Sequence, residues 1–288
     1  MPHSRLATPS ATIGVLKRHG LYTRKALGQH FLVDDNIVGR IVDSAALRPG
    51  ERVLEIGPGI GTLTDALLAV GAHVTAVEYD ARLIPVLAEL ADESRGLRVV
   101  HADAVTVPVD LLGAGDDAPR ALVANLPYAV AATVVLRFFE EMPSLQRAVV
   151  MVQAEVADRM AAIPGTKAYG AYTVKLALRA RVTGRFPVPR TCFLPPPRVD
   201  SSVIRLERAE RAAAERIAVA GRVADAAFSQ RRKTVRNSLA AGLGVDAATA
   251  STILGRAGID GTLRAENLDV EQFLALGAAA EGSGGVVF

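Results

Sequence analysis

"RVLEIGPGIGTLTDALLAV", residues 52–70, decides how the chain is read. It opens as an apolar run of strand length and ends with the spacing of a helix. Between the two lie Gly57, Gly59 and Gly61 at alternate positions. A turn built of residues without Cβ lets the backbone bend sharply and lets a ligand approach the main chain. Dinucleotide-binding enzymes use such a turn with the spacing G-x-G-x-x-G. Here the spacing is G-x-G-x-G, preceded by Glu55.

Further along, strand-like and helix-like segments alternate. "HVTAVE" (73–78), "LRVVHA" (97–102), "ALVAN" (121–125) and "AVVMVQ" (148–153) are runs of nearly continuous apolar character. That suits parallel strands buried on both faces. "TLTDALLAV" and "ARLIPVLAELAD" read as helices, with Thr62 or Asp80 available as N-caps. "VTGRFPVP" and "SSVIRLE" read as late strands that close the sheet, and "FLPPPR" (193–198) as a rigid loop between them. The alternation predicts an α/β fold with a doubly wound sheet. After Glu207 the sequence turns Ala-rich with helical spacing. The expected domains are an N-terminal extension over 1–20, an α/β domain over 21–208, and a small all-helical domain over 209–288 ending in a flexible Gly-rich tail.

Composition narrows the function classes. Half of the 288 residues are hydrophobic and 22% are charged, so the chain is globular rather than disordered. No apolar run reaches the ~18 residues that span a bilayer, and the N-terminus has no signal-peptide core. A single cysteine, Cys192, excludes an internal disulfide and fits a cytoplasmic location. Five scattered histidines give no metal-ligand spacing, so no metal is expected. The net charge of +3 hides two positive blocks. Residues 1–40 hold six Lys or Arg against two acids, and 205–236 hold nine against four. Two basic blocks flanking a near-neutral domain suit a polyanionic partner, and equally suit solvated helix faces.

The ends of the strands carry the chemistry. Glu78 closes the second strand of the α/β pattern, where a carboxylate can accept both hydroxyls of a ribose. Asp103 follows the third and can accept from the exocyclic amine of an adenine, or serve as a turn residue. Asn125 ends the fourth and opens Asn-Leu-Pro-Tyr. Its side-chain carbonyl can accept one hydrogen of an amino group, and the backbone carbonyl of Leu126, held by Pro127, can accept the other. Fixing both N–H bonds aims the nitrogen lone pair at an electrophile without a strong base. Tyr128 offers a flat ring on which an unstacked base can lie. In isolation the tetrapeptide also fits a β-turn.

With these motifs in order, together with "LGQHFLVDDN" (27–36), "VEYD", "HADA", "FLPPPRVDSSVIRL" and "FSQRRKTVRNSL", the chain resembles the KsgA/RsmA family of ribosomal RNA adenine N6-dimethyltransferases over residues 15–276. The resemblance implies a Rossmann-like class I methyltransferase sheet, S-adenosylmethionine as methyl donor, and two adjacent adenines near the 3′ end of small-subunit (16S) rRNA as acceptors. It implies that Gly57, Gly59, Glu78, Asp103 and Asn125 hold the donor, with His30 and Leu32 closing over its methionine end. The family usually has Asn where this chain has His30, which leaves that side chain's role open. Asn125, Leu126, Pro127 and Tyr128 would form the catalytic loop. Arg231, Arg232, Lys233 and Arg236, expected on a helix, would bind rRNA phosphates, and "KRHGLYTRKALGQ" (17–29) could track RNA similarly. A monomer without membrane contact is expected. The competing readings are the macrolide-resistance methyltransferases of 23S rRNA and a ribosome-assembly RNA-binding factor with incidental catalysis.

Overall fold

The computed structural model describes residues 2–22 and 29–282. The described residues fall into two compact units: Met1–Ala157 with Val182–Arg208, and Asp158–Arg181 with Ala209–Phe288. The tail 283–288 and the cations Arg24 and Lys25 of the N-terminal basic stretch lie outside the described residues.

The first unit begins with α1 (Pro9–Arg18), β1 (Phe31–Leu32) and α2 (Asp35–Ala45). It continues through β2 (Arg52–Ile56), α3 (Thr62–Ala69), β3 (His73–Glu78), α4 (Ile84–Glu93), β4 (Leu97–His101), β5 (Ala121–Asn125), α5 (Ala131–Glu141) and β6 (Arg147–Gln153). α6 (Ala154–Met160) and α7 (Ala171–Ala177) precede β7 (Ala180–Val188), β8 (Phe193–Leu194) and β9 (Ser201–Arg208). Seven strands form one sheet in the order β4-β3-β2-β5-β6-β9-β7, and β1 pairs separately with β8. β2 to β6 run parallel, while β9 is antiparallel to β6.

Successive strand residues point to opposite faces. Val53, Val74, Ala76, Ala121, Val123, Val149 and Met151 pack with Ile37, Val38 and Ile41 of α2 and Leu63 and Leu67 of α3. The alternate positions Leu54, Leu122, Ala124 and Val150 are equally buried, so the central strands are covered on both sides. β4 departs from this. It is the sheet's edge, with no fully buried residue, because it has a neighbour on one side only.

Chain order and sheet order part company at β2. The strands run outward from β2 through β3 to β4, then return to β5 on the other side of β2. That reversal opens a crevice at the carboxyl ends of β2 and β5, where open α/β sheets bind ligands.

The N-terminal stretch is no separate extension. Its backbone amides at His3 and Ser4 donate to Asp35, and Arg5 pairs with Asp65 of α3 at 2.8 Å. Val15 and Leu16 pack with Phe31, Ile60, Leu83 and Val86. Asp80 caps a short 3₁₀ turn through the Arg82 amide, as expected. Thr62 does not cap α3. Gly61 takes that place at φ 87°, and the Thr62 hydroxyl is buried without a hydrogen-bond partner among the described residues.

In the second unit, α8 (Ala214–Phe228), α9 (Val235–Leu243), α10 (Ala247–Arg256) and α11 (Val270–Glu281) surround Val219, Val223, Leu239, Ile253 and Phe273. Tyr169, Val174 and Leu178 join this core, and the Tyr169 hydroxyl donates to the Leu268 carbonyl at 2.8 Å. The boundary expected at 208 therefore misses a segment. Residues 158–181 pack with the helical unit although they precede the sheet's last strands.

Glu55 is the most deeply buried carboxyl among the described residues, 1% exposed and accepting from the Thr64 hydroxyl at 2.6 Å. Burial, reinforced by the nearby Glu78 charge, raises its pKa from 4.5 to about 8. The folded protein then holds a proton that the unfolded chain has released, so stability falls as pH rises between these two values. Glu55→Gln should remove that loss. Its melting temperature should exceed wild type by a margin that grows from pH 5 to pH 8, and parallel melting curves would show that Glu55 is ionised in the fold.

Candidate active site

A cavity of about 580 Å³ opens at the switch point. Its walls include every cofactor and catalytic residue expected from the sequence: His30, Leu32, Gly57, Gly59, Glu78, Asp103, Asn125, Leu126, Pro127 and Tyr128. They come from segments nearly a hundred residues apart. Parallel pairing brings the strand-end residues together, because β2, β3 and β5 all end at the same edge of the sheet. Leu32 comes from β1, which pairs antiparallel with β8, and His30 from just before it.

The glycine turn sets one wall. Gly57 has φ 68° and its amide donates to the Val77 carbonyl at 2.9 Å. A Cβ placed there would lie 3.1 Å from the Pro127 ring. Left-handed backbone and close approach both demand glycine at this position. Gly59, at φ 64°, donates its amide to Glu78 Oε2 at 3.2 Å.

Glu78 is more deeply placed than a strand-end residue need be. It is 6% exposed, and its other oxygen accepts from the Asp80 amide at 2.8 Å. Burial pushes its carboxyl up, and the Asp80 and Gly59 amides pull it back in part. Each carboxylate oxygen keeps a second lone pair for a ligand. Asp80 also accepts from the Gln29 side chain at 2.8 Å, which ties the approach to β1 to the end of β3. Asp103 is exposed at the cavity wall, and one of its oxygens accepts from the Val105 amide at 2.8 Å. It is thus a turn residue with one oxygen left over.

Asn125 sits at the end of β5, opposite Met151 of β6. Its side-chain nitrogen donates to the His30 carbonyl at 3.4 Å. That bond orients the amide, since a carbonyl can only accept, and among the described residues Oδ1 of this cavity-lining side chain has no hydrogen-bond partner. The Leu126 amide donates to the Met151 carbonyl at 3.1 Å, while its own carbonyl has no partner among the described residues. Two acceptors therefore stand adjacent, each anchored through its nitrogen. The Leu126 side chain is buried, so the tetrapeptide is fastened into the core at its second residue.

The Tyr128 ring lies near parallel to that of His30, centroids 6.0 Å apart at 27°. Its hydroxyl is bonded to Ser201 Oγ at 2.7 Å, a contact that the sequence reading did not anticipate when it used only the ring. Leu32, on the cavity wall, is buried and pairs with Phe193 of β8. Two wall residues that were not singled out in sequence are Tyr79 and Leu83, while Thr62 was expected there only as a helix cap. Tyr79 had a readable signal, an aromatic beside a strand-end acid, and it is 66% exposed.

The basic segment lies in the other unit. Arg231, Arg232 and Lys233 are not on a helix. They occupy the turn between α8 and α9, closed by the Lys233 amide donating to the Gln230 carbonyl at 2.9 Å. Ser229 and Ser238 tie the two helix ends together across it, and only Arg236 is helical. A basin of about 400 Å³ is lined by Arg231, Arg232, Lys167 and Arg264, with Glu266 as its one acid. Among the described residues no group of His, Cys, Asp or Glu could hold a metal ion, and no helix is long and apolar enough to cross a membrane.

A family description, "Ribosomal RNA adenine dimethylase", matches residues 20–280. The chain is 39% identical to "Ribosomal RNA small subunit methyltransferase A" of Enterococcus faecalis over 97% of each sequence. It is 45% identical to the protein of the same name from Thermobifida fusca over 94% of each. Among solved structures, a dimethyladenosine transferase from Plasmodium falciparum superposes with a TM-score of 0.78 at 26% identity, covering 90% of this chain and all of that one. The 23S rRNA methyltransferase ErmE superposes with a TM-score of 0.64 at 28% identity, covering 87% of this chain and 99% of that one. The sheet order, the crevice at β2 and β5 and these matches agree: the chain belongs to the ribosomal RNA adenine dimethylase family.

Proposed function

We propose that this protein transfers methyl groups from S-adenosylmethionine to N6 of two adjacent adenines near the 3′ end of 16S rRNA in the small ribosomal subunit, giving N6,N6-dimethyladenosine. The observation that carries the reading is the pair of anchored acceptors, Asn125 Oδ1 and the Leu126 carbonyl, beside a glycine turn at one switch point. They match the two hydrogens of one exocyclic amine. Held by both, the amine leaves its conjugated plane and presents its lone pair. Tyr128 supplies the flat ring for a base drawn out of its stack.

S-adenosylmethionine supplies an electrophilic methyl group on a sulfonium. The residues present fit it. Glu78 has free lone pairs for a ribose, the glycine turn admits close approach, and the Thr62 hydroxyl at the start of α3 lacks a partner and lines the cavity. Asp103 has an oxygen to spare for an adenine amine, and His30 and Leu32 would bound the methionine end. The donor's methyl would face Asn125 with water excluded by Leu32, Leu126 and Pro127.

The basin in the helical unit supports an RNA partner. Three arginines and a lysine against one glutamate suit phosphate oxygens, and Arg231 and Arg264 are already drawn inward by Glu266. The small-subunit acceptor is favoured over 23S rRNA by relatives at 39–45% identity that carry the small-subunit name. A monomer acting in the cytoplasm is part of the same proposal.

Three outcomes follow. Asn125→Ala should lower the rate of dimethyladenosine formation on unmethylated small subunits by roughly 10²–10³ while sparing subunit binding, since one positioned contact in a site is lost. Mass spectrometry finding near-normal product would reduce the tetrapeptide to a turn. Glu78→Gln, which keeps the packing that Ala would lose, should weaken S-adenosylmethionine binding about tenfold in calorimetry. Unchanged affinity would remove Glu78 from the donor site. Replacing Arg231, Arg232 and Lys233 with Ala should weaken rRNA binding and flatten its dependence on salt, because fewer counterions are released. An unchanged salt slope would make the turn an ordinary solvated surface.

A further inference from the structure

We propose that Ser201 and His30 are positioning residues that hold the Tyr128 ring as a platform set in place before the acceptor base arrives. The proposal rests on the catalytic reading of the tetrapeptide given above and goes beyond it. A tyrosine on a loop has two free torsions, and stacking a base on it costs the entropy of fixing them. Here both ends of the side chain are already held.

The hydroxyl end is held by the sheet. Ser201 is the first residue of β9, pairs with Gln153 of β6 and is 1% exposed. Its hydroxyl lies 2.7 Å from the Tyr128 hydroxyl and makes no other side-chain hydrogen bond among the described residues. The phenol therefore ends in a buried polar socket on the rigid part of the unit. Burial raises the Tyr128 pKa further, so the phenol keeps its proton at neutral pH and can donate to Ser201.

The ring face is held by His30. Its Nδ1 lies 2.7 Å from the Pro195 carbonyl. A carbonyl can only accept, so Nδ1 carries a proton and the imidazole plane is pinned to the loop after β8. The pinned plane lies near parallel to Tyr128. The same residue's backbone carbonyl receives the Asn125 amide. Position 30 thus touches both Asn125 and Tyr128, the first through its backbone and the second through its ring. Only the ring contact depends on the side chain being histidine.

The experiment is a double-mutant cycle on intact protein, read as the single-turnover rate on unmethylated small subunits with protein in saturating excess and saturating S-adenosylmethionine. Tyr128→Phe and Ser201→Ala each delete the same hydrogen bond. Each should slow the reaction about fivefold, and the double variant should be no slower than either, because one contact cannot be lost twice. His30→Ala should slow it comparably, and His30→Phe, which restores a ring, should recover part of the loss. Melting temperature and donor affinity of Ser201→Ala should stay near wild type, which a merely structural bond would not allow together with a slowed rate. A normal rate in Ser201→Ala, or slowing that multiplies in the double variant, would overturn the platform. Equal rates for His30→Ala and His30→Phe would remove His30 from it. Tyr128→Ala separates the two levels of the argument. If it is also normal, the catalytic reading has failed. If it is slow while Ser201→Ala is normal, only the platform has.

Discussion

The approach of the Pro127 ring to the bare Cα of Gly57 is the contact on which the site depends. It joins the loop after β5 to the loop after β2 across the point where strand order reverses. Any side chain at Gly57 would meet that ring and would also have to adopt a left-handed φ. The cavity exists because neither loop can retreat. One is bound to β3 through the Val77 carbonyl, and the other is anchored in the core by Leu126 and bound to β6 through the Met151 carbonyl.

From that contact the polar geometry follows in a chain. The glycine turn presents the Gly59 amide to Glu78, and Glu78 in turn holds the Asp80 amide. Asp80 receives the Gln29 side chain, which brings the next residue, His30, over the tetrapeptide. His30 then orients Asn125 through its backbone. Three of these four bonds join backbone to side chain, and every side chain among them lines the cavity. In the reading proposed above, such a site requires no strongly basic residue and acts by placement.

The buried carboxyls show what this costs. Glu55 and Glu78 lie close together at the end of β2 and β3, and burial raises both. Among the described residues Glu55 has only the Thr64 hydroxyl as partner, so burial prevails and raises its pKa to about 8. Glu78 has two backbone amides, which favour its charged form. The two carboxyls thus differ in the donors that the fold supplies to each.

What the sequence determined by itself is the set of local features: which runs are strands, where the glycine turn falls, and that Glu78, Asp103 and Asn125 stand at strand ends. These depend on apolar periodicity and backbone conformation, which neighbours along the chain control. Their meeting in one cavity was legible because parallel strands with short turns leave their ends at a common edge. What only the tertiary structure decided are pairings between residues with no local signature. The Ser201 hydroxyl looks like any strand serine until β9 inserts beside β6 and brings it to Tyr128. Residues 158–181 read as another helix of the sheet domain, yet Tyr169 and Val174 find their apolar partners on α8 and α11. Arg231 to Lys233 continue a helical pattern in sequence, yet the bonds of Ser229 and Ser238 close a turn there. LRVVH has the composition of a central strand but lies at the sheet's edge, because composition reports how apolar a strand is and not how many neighbours it has.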